Sequence, residues 1–292
     1  MPIRVGIPQV NKWDVEGGVR GILKATDRYA NSQDPLVLDL ARCSFLSAEA
    51  TALLASIFLV RRKMEASTQI DSTTVQWPVW RHLQRMWFFS LSGIEEKGIA
   101  PGSSLPLFHT EALEKDRILR YIDEEILGRP AMPSMTPSLR KEIRRAFFEV
   151  IGNVFHHSGS LIGAVVCGQI YPNDNEIQIT FLDRGVGVAC KVRSWLDSIE
   201  DDKKAIDWAL KRGTSTLATG TQSRGLGLYL LREFIKANEG QFRVYANGAF
   251  LEEASGRRTY RTLNPPLGGT LVDLRINIRP DVEYGFQQDF EN

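Results

Sequence analysis

Apolar and polar positions alternate with two different periods along this chain, and the switch between them predicts the elements. Up to about residue 95 short apolar runs and longer helical patterns take turns: strands at Ile3–Ile7 and Leu36–Leu40, a polar strand near Thr68–Gln76, and helices over Gly17–Ala30, Ser47–Met64 and Val79–Leu91. That alternation predicts an α/β layered unit. The aromatic side chains Trp77, Trp80, Trp87, Phe88 and Phe89 recur at helical spacing and read as core. Residues 97–112, rich in Gly, Pro and Ser, read as a linker loop, and Leu113–Leu127 as a charged amphipathic helix. Gly128–Pro137 carries three prolines and reads as extended. Thr136-Pro137 then supplies an N-cap and a first-turn proline. Leu139, Ile143, Phe147, Val150, Ile151 and Val154 form the apolar face of one long helix, which Gly159 stops. Strands follow at Leu161–Tyr171 and Glu176–Leu182, and a short helix at Lys203–Lys211. After a helix opened by Gly225 come strands at Gln241–Ala246, Arg257–Leu263 and Gly269–Asn277, with Asn247-Gly248 as a turn. The pattern predicts an α/β unit over 1–96, a linker at 97–112, a second unit over 113–280 and a C-terminal tail over 281–292.

Composition narrows the functional classes. Of the 292 residues 43% are hydrophobic and 24% charged, ordinary for a globular protein, and a net charge of +1 gives no electrostatic case for nucleic acid or an anionic membrane. The basic run Arg140, Lys141, Arg144 and Arg145 reads as a solvated helix face. Three scattered cysteines, Cys43, Cys167 and Cys190, match neither a disulfide framework nor a zinc site. No signal peptide is visible, and the longest apolar stretch, near Ala50–Val60, is too short to span a bilayer. A cytoplasmic protein is expected.

The chemistry sits in three motifs in fixed order: Glu149-x-x-x-Asn153-x-x-x-His157, Asp183-x-Gly185-x-Gly187, and Gly225-Leu226-Gly227-Leu228. Residues four apart on a helix share one flank, so the first motif is a polar stripe beside the apolar face. The second places a carboxylate at the end of a strand beside a glycine turn that lets backbone approach a ligand. Asp183 is suited there to accept a hydrogen bond from an exocyclic amine such as adenine N6. The third opens an apolar helix whose free N–H groups and dipole favour phosphate. Arg224 precedes it, and the hydroxyl-rich segment from Gly213 through Ser215 to Arg224 suits a lid. Neither a Walker A nor a Rossmann spacing is present.

Two resemblances follow. The ordered motifs over about residues 113–280 resemble the GHKL ATPase and kinase superfamily with its Bergerat fold, an α+β two-layer sandwich. The subtype of the first motif is most similar to the anti-sigma-factor serine kinases. The resemblance implies ATP and Mg²⁺ as cofactors: Glu149 as general base, Asn153 as Mg²⁺ ligand, Asp183 on the adenine amine, Gly185 and Gly187 in the adenine-side turn, Gly225 to Leu228 around the phosphates, and Thr270 supporting the adenine through water. Ser215 falls on that family's lid motif. His157 is read as a helix-end structural residue. The run from Leu36 to Ala50 resembles the centre of a STAS domain, with Ser47-Ala48-Glu49-Ala50 where that family has Asp-Ser-Ser-Gly. Glu49 or Ala48, depending on register, stands in place of the phosphoacceptor serine; Ser47 and Ser44 are the neighbouring hydroxyls. The implied partner is a protein substrate or regulator, STAS-type or sigma-factor-related, and relatives commonly form homodimers. A serine/threonine protein kinase is the first functional expectation and a slow ATPase acting as a conformational switch the second. A histidine kinase would need an acceptor histidine on a two-helix dimerisation domain, whereas His109 lies in the Pro/Gly-rich linker, which disfavours that reading.

Overall fold

The computed structural model describes residues 1–10, 14–92, 102–214 and 226–291. In chain order the elements are β1 (Ile3–Gly6), α1 (Val15–Thr26), β2 (Leu36–Asp39), α2 (Ala48–Lys63), β3 (Thr68–Ile70), α3 (Trp77–Arg85), β4 (Ser104–Thr110), α4 (Lys115–Tyr121), β5 (Ser134–Met135) and α5 (Pro137–Asn153). They continue with β6 (Ala164–Tyr171), β7 (Glu176–Asp183), α6 (Val188–Trp195), α7 (Asp202–Ala209), α8 (Gly227–Ala237), β8 (Gln241–Ala254), β9 (Arg257–Asn277) and β10 (Glu283–Tyr284). The protein is of mixed α/β type. β1, β2 and β3 form a parallel sheet in the order β1-β2-β3, and an antiparallel sheet has the order β4-β6-β7-β9-β8. No helix among the described residues is long and apolar enough to cross a membrane.

Both faces of the five-stranded sheet are covered. Ile177, Ile179 and Phe181 of β7 join the core built with α4, α5 and α8, whereas Leu182, Val165 and Leu271 join the core of the N-terminal unit. α2 is central to the second core, with Ala48 through Leu59 buried without interruption, as a helix apolar on all sides must be. Its alanines allow close approach on one side to β6 and β7 and on the other to α1 and β3. The N-terminal unit is therefore one layer of a continuous interior. Helices of the C-terminal half pack on one face of the five-stranded sheet, and the N-terminal unit packs on the other.

A polar clasp fixes how α2 docks. Gln178, fully buried on β7, uses its whole side-chain amide. Its oxygen accepts from the Tyr171 hydroxyl at 2.9 Å and from the Ala48 N–H at 3.3 Å, while its nitrogen donates to Asp273 at 2.9 Å and to Glu49. Arg243 completes the group, 3.4 Å from Glu49 and 3.7 Å from Asp273. Burial, then the neighbouring Glu49 carboxylate, push the Asp273 carboxyl well above its ordinary range. Another buried group, Arg61 at the end of α2, donates to the carbonyls of Tyr29, Ser32, Asp34 and Ser67, tying the loop before β2 and the start of β3 to the helix.

Three sequence expectations are corrected. The 97–112 linker contains β4, an edge strand of the sheet, and its Pro106 lies within the register shift between Leu105 and Phe108, where no ladder donor is required. His109 accordingly sits in that strand with Nε2 2.7 Å from the Ile162 carbonyl oxygen, and not on a dimerisation helix. The 281–292 tail contributes β10, which pairs in parallel with β5. Asn247-Gly248 does not turn the chain. It lies within the long strand β8 at a register shift, and the hairpin closes at Ser255-Gly256, where φ values of +50° and +72° match a two-residue primed turn.

Replacing Gln178 with Leu removes four buried hydrogen bonds and is expected to cost roughly 2–4 kcal/mol in chemical denaturation. Because the folded-state pKa of Asp273 is raised, its contribution is fully present below the unfolded carboxylate pKa and is lost as pH rises through the folded value. Asp273→Asn is therefore expected to gain stability relative to the parent as pH is raised, measured by denaturation at about pH 5 and about pH 8.

Candidate functional site

α5 begins as the sequence dictates. Thr136 caps it, accepting from the Leu139 N–H, and Pro137 occupies its first turn. The buried face of Ile143, Phe147, Val150 and Ile151 seats it on the sheet and leaves Glu149 and Asn153 on one flank. Past Asn153 the helix widens into a π-helical segment, Val154–Ser158, before Gly159 stops it at φ +61°. The widening turns both His156 and His157 toward the same space, a change that regular four-residue spacing does not contain.

A cavity of about 370 Å³ lies along this flank. Glu149, Asn153, His156, His157, Asp183, Gly187, Leu228 and Thr270 line it, with an apolar floor of Phe181, Val188, Val192, Trp208 and Val272. All three motifs therefore meet at one concave site. Gly185, Leu226 and Gly227 do not line the cavity but hold its wall. Ser215, Arg224 and Gly225 lie outside the described residues.

One end of the cavity is built by the β7 terminus. Asp183 is 6% exposed, and its Oδ1 accepts the Gly185 N–H at 2.8 Å. Thr270, its register partner on β9, accepts the Val188 N–H at 2.9 Å and so anchors the start of α6. Val186 N–H donates to the Ser158 carbonyl at 2.8 Å, clipping the turn to the end of the α5 segment. Gly187 has φ +80°, and an added Cβ would lie 2.5 Å from Asn247 Oδ1, so only glycine fits. Asn247, misread from the sequence as a turn residue, accepts from the Cys190 N–H at 3.0 Å and donates to the Val186 carbonyl at 2.9 Å. Burial raises the Asp183 pKa to about 6, offset in part by the hydrogen bonds from Gly185, Ser158 and Thr270.

The other end is made by α8. The N-cap residue Leu226 makes no capping hydrogen bond with its own side chain, and the start of the helix lies against the α5 flank. Glu149 Oε1 accepts the Leu226 N–H at 3.1 Å. Gly227 permits that approach: a Cβ there would lie 3.0 Å from Glu149 Cβ and 3.1 Å from the Ala146 carbonyl oxygen. A carboxylate and a helix N-terminus thus adjoin, an arrangement that can hold an anion and position a proton acceptor beside it. Among the described residues no group of three or more His, Cys, Asp or Glu could hold a metal. Asn153 alone would give a cation one neutral oxygen, which suits an ion taking its other ligands from phosphate and water.

Among the lining residues absent from the sequence reading, His156 enters through the π-helical segment. Lys191 belongs to α6, which is short and starts directly at Gly187. Trp208 and Thr214 come from α7 and its exit, and Arg145 from the basic run assigned to a solvated face. For Arg145 a signal existed, since it stands four residues before Glu149. No known family model matches the chain, and a comparison with curated proteins yields no match.

Asp183 is held at an energetic cost above its pKa. Its stabilising contribution is complete below about pH 3.8 and is lost as pH rises through about 6. Asp183→Asn keeps the acceptor for Gly185 and removes the buried charge. Relative to the parent it is expected to gain on the order of 2–3 kcal/mol between about pH 4 and pH 7.5 in denaturation experiments. A pH-independent difference contradicts this.

Proposed function

We propose that this cavity binds an adenine nucleotide with Mg²⁺, in a domain of the GHKL type joined to a STAS-like unit, and that the protein is a regulatory serine/threonine protein kinase. The observation that carries the reading is the convergence of Glu149, Asn153, Asp183, Thr270 and the α8 start on one cavity with opposed polar ends. The dry carboxylate end suits the base: ionised Asp183 accepts the exocyclic amine, with Thr270 beside it. The α8 end suits the phosphates, where the opening amides of the helix and its dipole meet negative charge. Bound Mg²⁺ would neutralise the phosphates, with Asn153 as its protein ligand. Glu149, next to the α8 amides, orients and accepts the proton of the attacking hydroxyl. Apolar Phe181, Val192, Trp208 and Val272 exclude water around it.

The phosphoacceptor on this reading is a separate protein. Ser47, in the STAS-like segment, is fully buried, caps α2 and sits beneath the far face of the sheet from the cavity. Glu49, next along, is locked into the clasp with Gln178 and Arg243. That same clasp favours a second reading, a nucleotide-gated switch that hydrolyses slowly, because α2 rests on β7, the strand that ends in Asp183.

Transfer of label from γ-phosphate-labelled Mg-ATP separates the two. With host lysate, the kinase reading predicts label on a protein, reduced at least a hundredfold by Glu149→Ala while nucleotide binding persists. Label appearing only as free phosphate supports the switch. Transfer undiminished by Glu149→Ala contradicts that residue's role.

A further inference from the structure

Arg145 stands one helical turn before Glu149 on the same flank of α5 and lines the same cavity. Its neighbour Arg144 points elsewhere, gripping Asp123 through two hydrogen bonds of 2.6 and 2.7 Å. Arg145 instead projects along the cavity flank, with a half-exposed pair to Glu142 at 3.7 Å, of a kind that contributes little.

The cavity has a direction. Its base end is pinned at Ser158, whose carbonyl accepts the Val186 N–H of the Asp183 turn. From there back to Glu149 and the α8 amides is about 13 Å along the helix at ~1.5 Å per residue, and to Arg145 about 20 Å. A nucleoside diphosphate laid from Asp183 reaches the Glu149 end, and a third phosphate extends toward Arg145. The arginine's planar set of donors matches phosphate oxygens, and a terminal phosphate carries the charge that a diphosphate lacks there.

We infer that Arg145 reads the terminal phosphate of a nucleoside triphosphate and so makes the site discriminate triphosphate from diphosphate. This rests on the adenine-nucleotide reading of the cavity. Arg145 then serves as a specificity residue beyond the three motifs, placed where it also neutralises charge as the terminal phosphoryl group leaves.

The test compares affinities for ADP and a non-hydrolysable imido analogue of ATP, with Mg²⁺, by calorimetry on the full chain. Arg145→Ala is expected to weaken the triphosphate analogue roughly tenfold or more while ADP affinity changes less than about twofold. Arg145→Lys should restore part of the difference, and Arg144→Ala should leave the ratio unchanged. Equal weakening of both nucleotides, or of neither, overturns the role of Arg145. If the parent protein binds neither nucleotide, the reading of the cavity fails first and this inference falls with it.

Discussion

The central strands of the five-stranded sheet, β6, β7 and the C-terminal half of β9, are buried on both faces, and most of the structure follows from that constraint. Side chains on a strand alternate between its two faces. In β7 the odd positions Ile177, Ile179, Phe181 and Asp183 face the helices that build the cavity. Its even positions Gln178, Thr180 and Leu182 face the N-terminal unit. One eight-residue strand therefore carries both the buried carboxylate of the site and the clasp that holds α2. A buried amide with unmatched donors is costly, so Gln178 specifies a single docked position for the helix. The N-terminal unit is bound to the same strand that ends in the site.

Electrostatics explains why the two carboxylates on that sheet behave alike and serve differently. Asp183 and Asp273 are both buried, and burial raises the pKa of each. Asp273 is surrounded by Gln178, Thr180 and Arg243 and is consumed by the fold. Asp183 has the Gly185 amide on one oxygen and opens into the cavity. A carboxylate held at a cost to stability beside unfilled space is where binding and catalytic groups concentrate.

Much of this was legible in the sequence, residue by residue. The capped start at Thr136-Pro137, the buried face of α5 and the alternation in β7 fixed where Glu149, Asn153 and Asp183 would stand, and the structure brings them together. The failures have local causes. β4 was hidden by Pro106, which an edge strand tolerates beside a bulge. Asn247-Gly248 imitates a hairpin turn, but the chain closes at Ser255-Gly256 and uses the Asn247 side chain as a splint for α6. The docking of α2 was invisible because apolar residues on all sides of a helix announce burial without naming the partner. Arg145 is exposed, as its basic run suggested, and also lines the cavity, which its spacing from Glu149 along the polar stripe foreshadowed.

Base selection reports on the buried carboxylate at the end of β7. Calorimetric titration of the full chain with Mg-ATP and with Mg-GTP, repeated on Asp183→Asn, isolates the buried carboxylate from the phosphate end. The account predicts that the parent binds ATP and prefers it over GTP by tenfold or more, about 1.4 kcal/mol. It also predicts that Asp183→Asn stays folded and loses that preference. Equal affinity for the two nucleotides, no binding of either, or an unchanged preference in Asp183→Asn would contradict it.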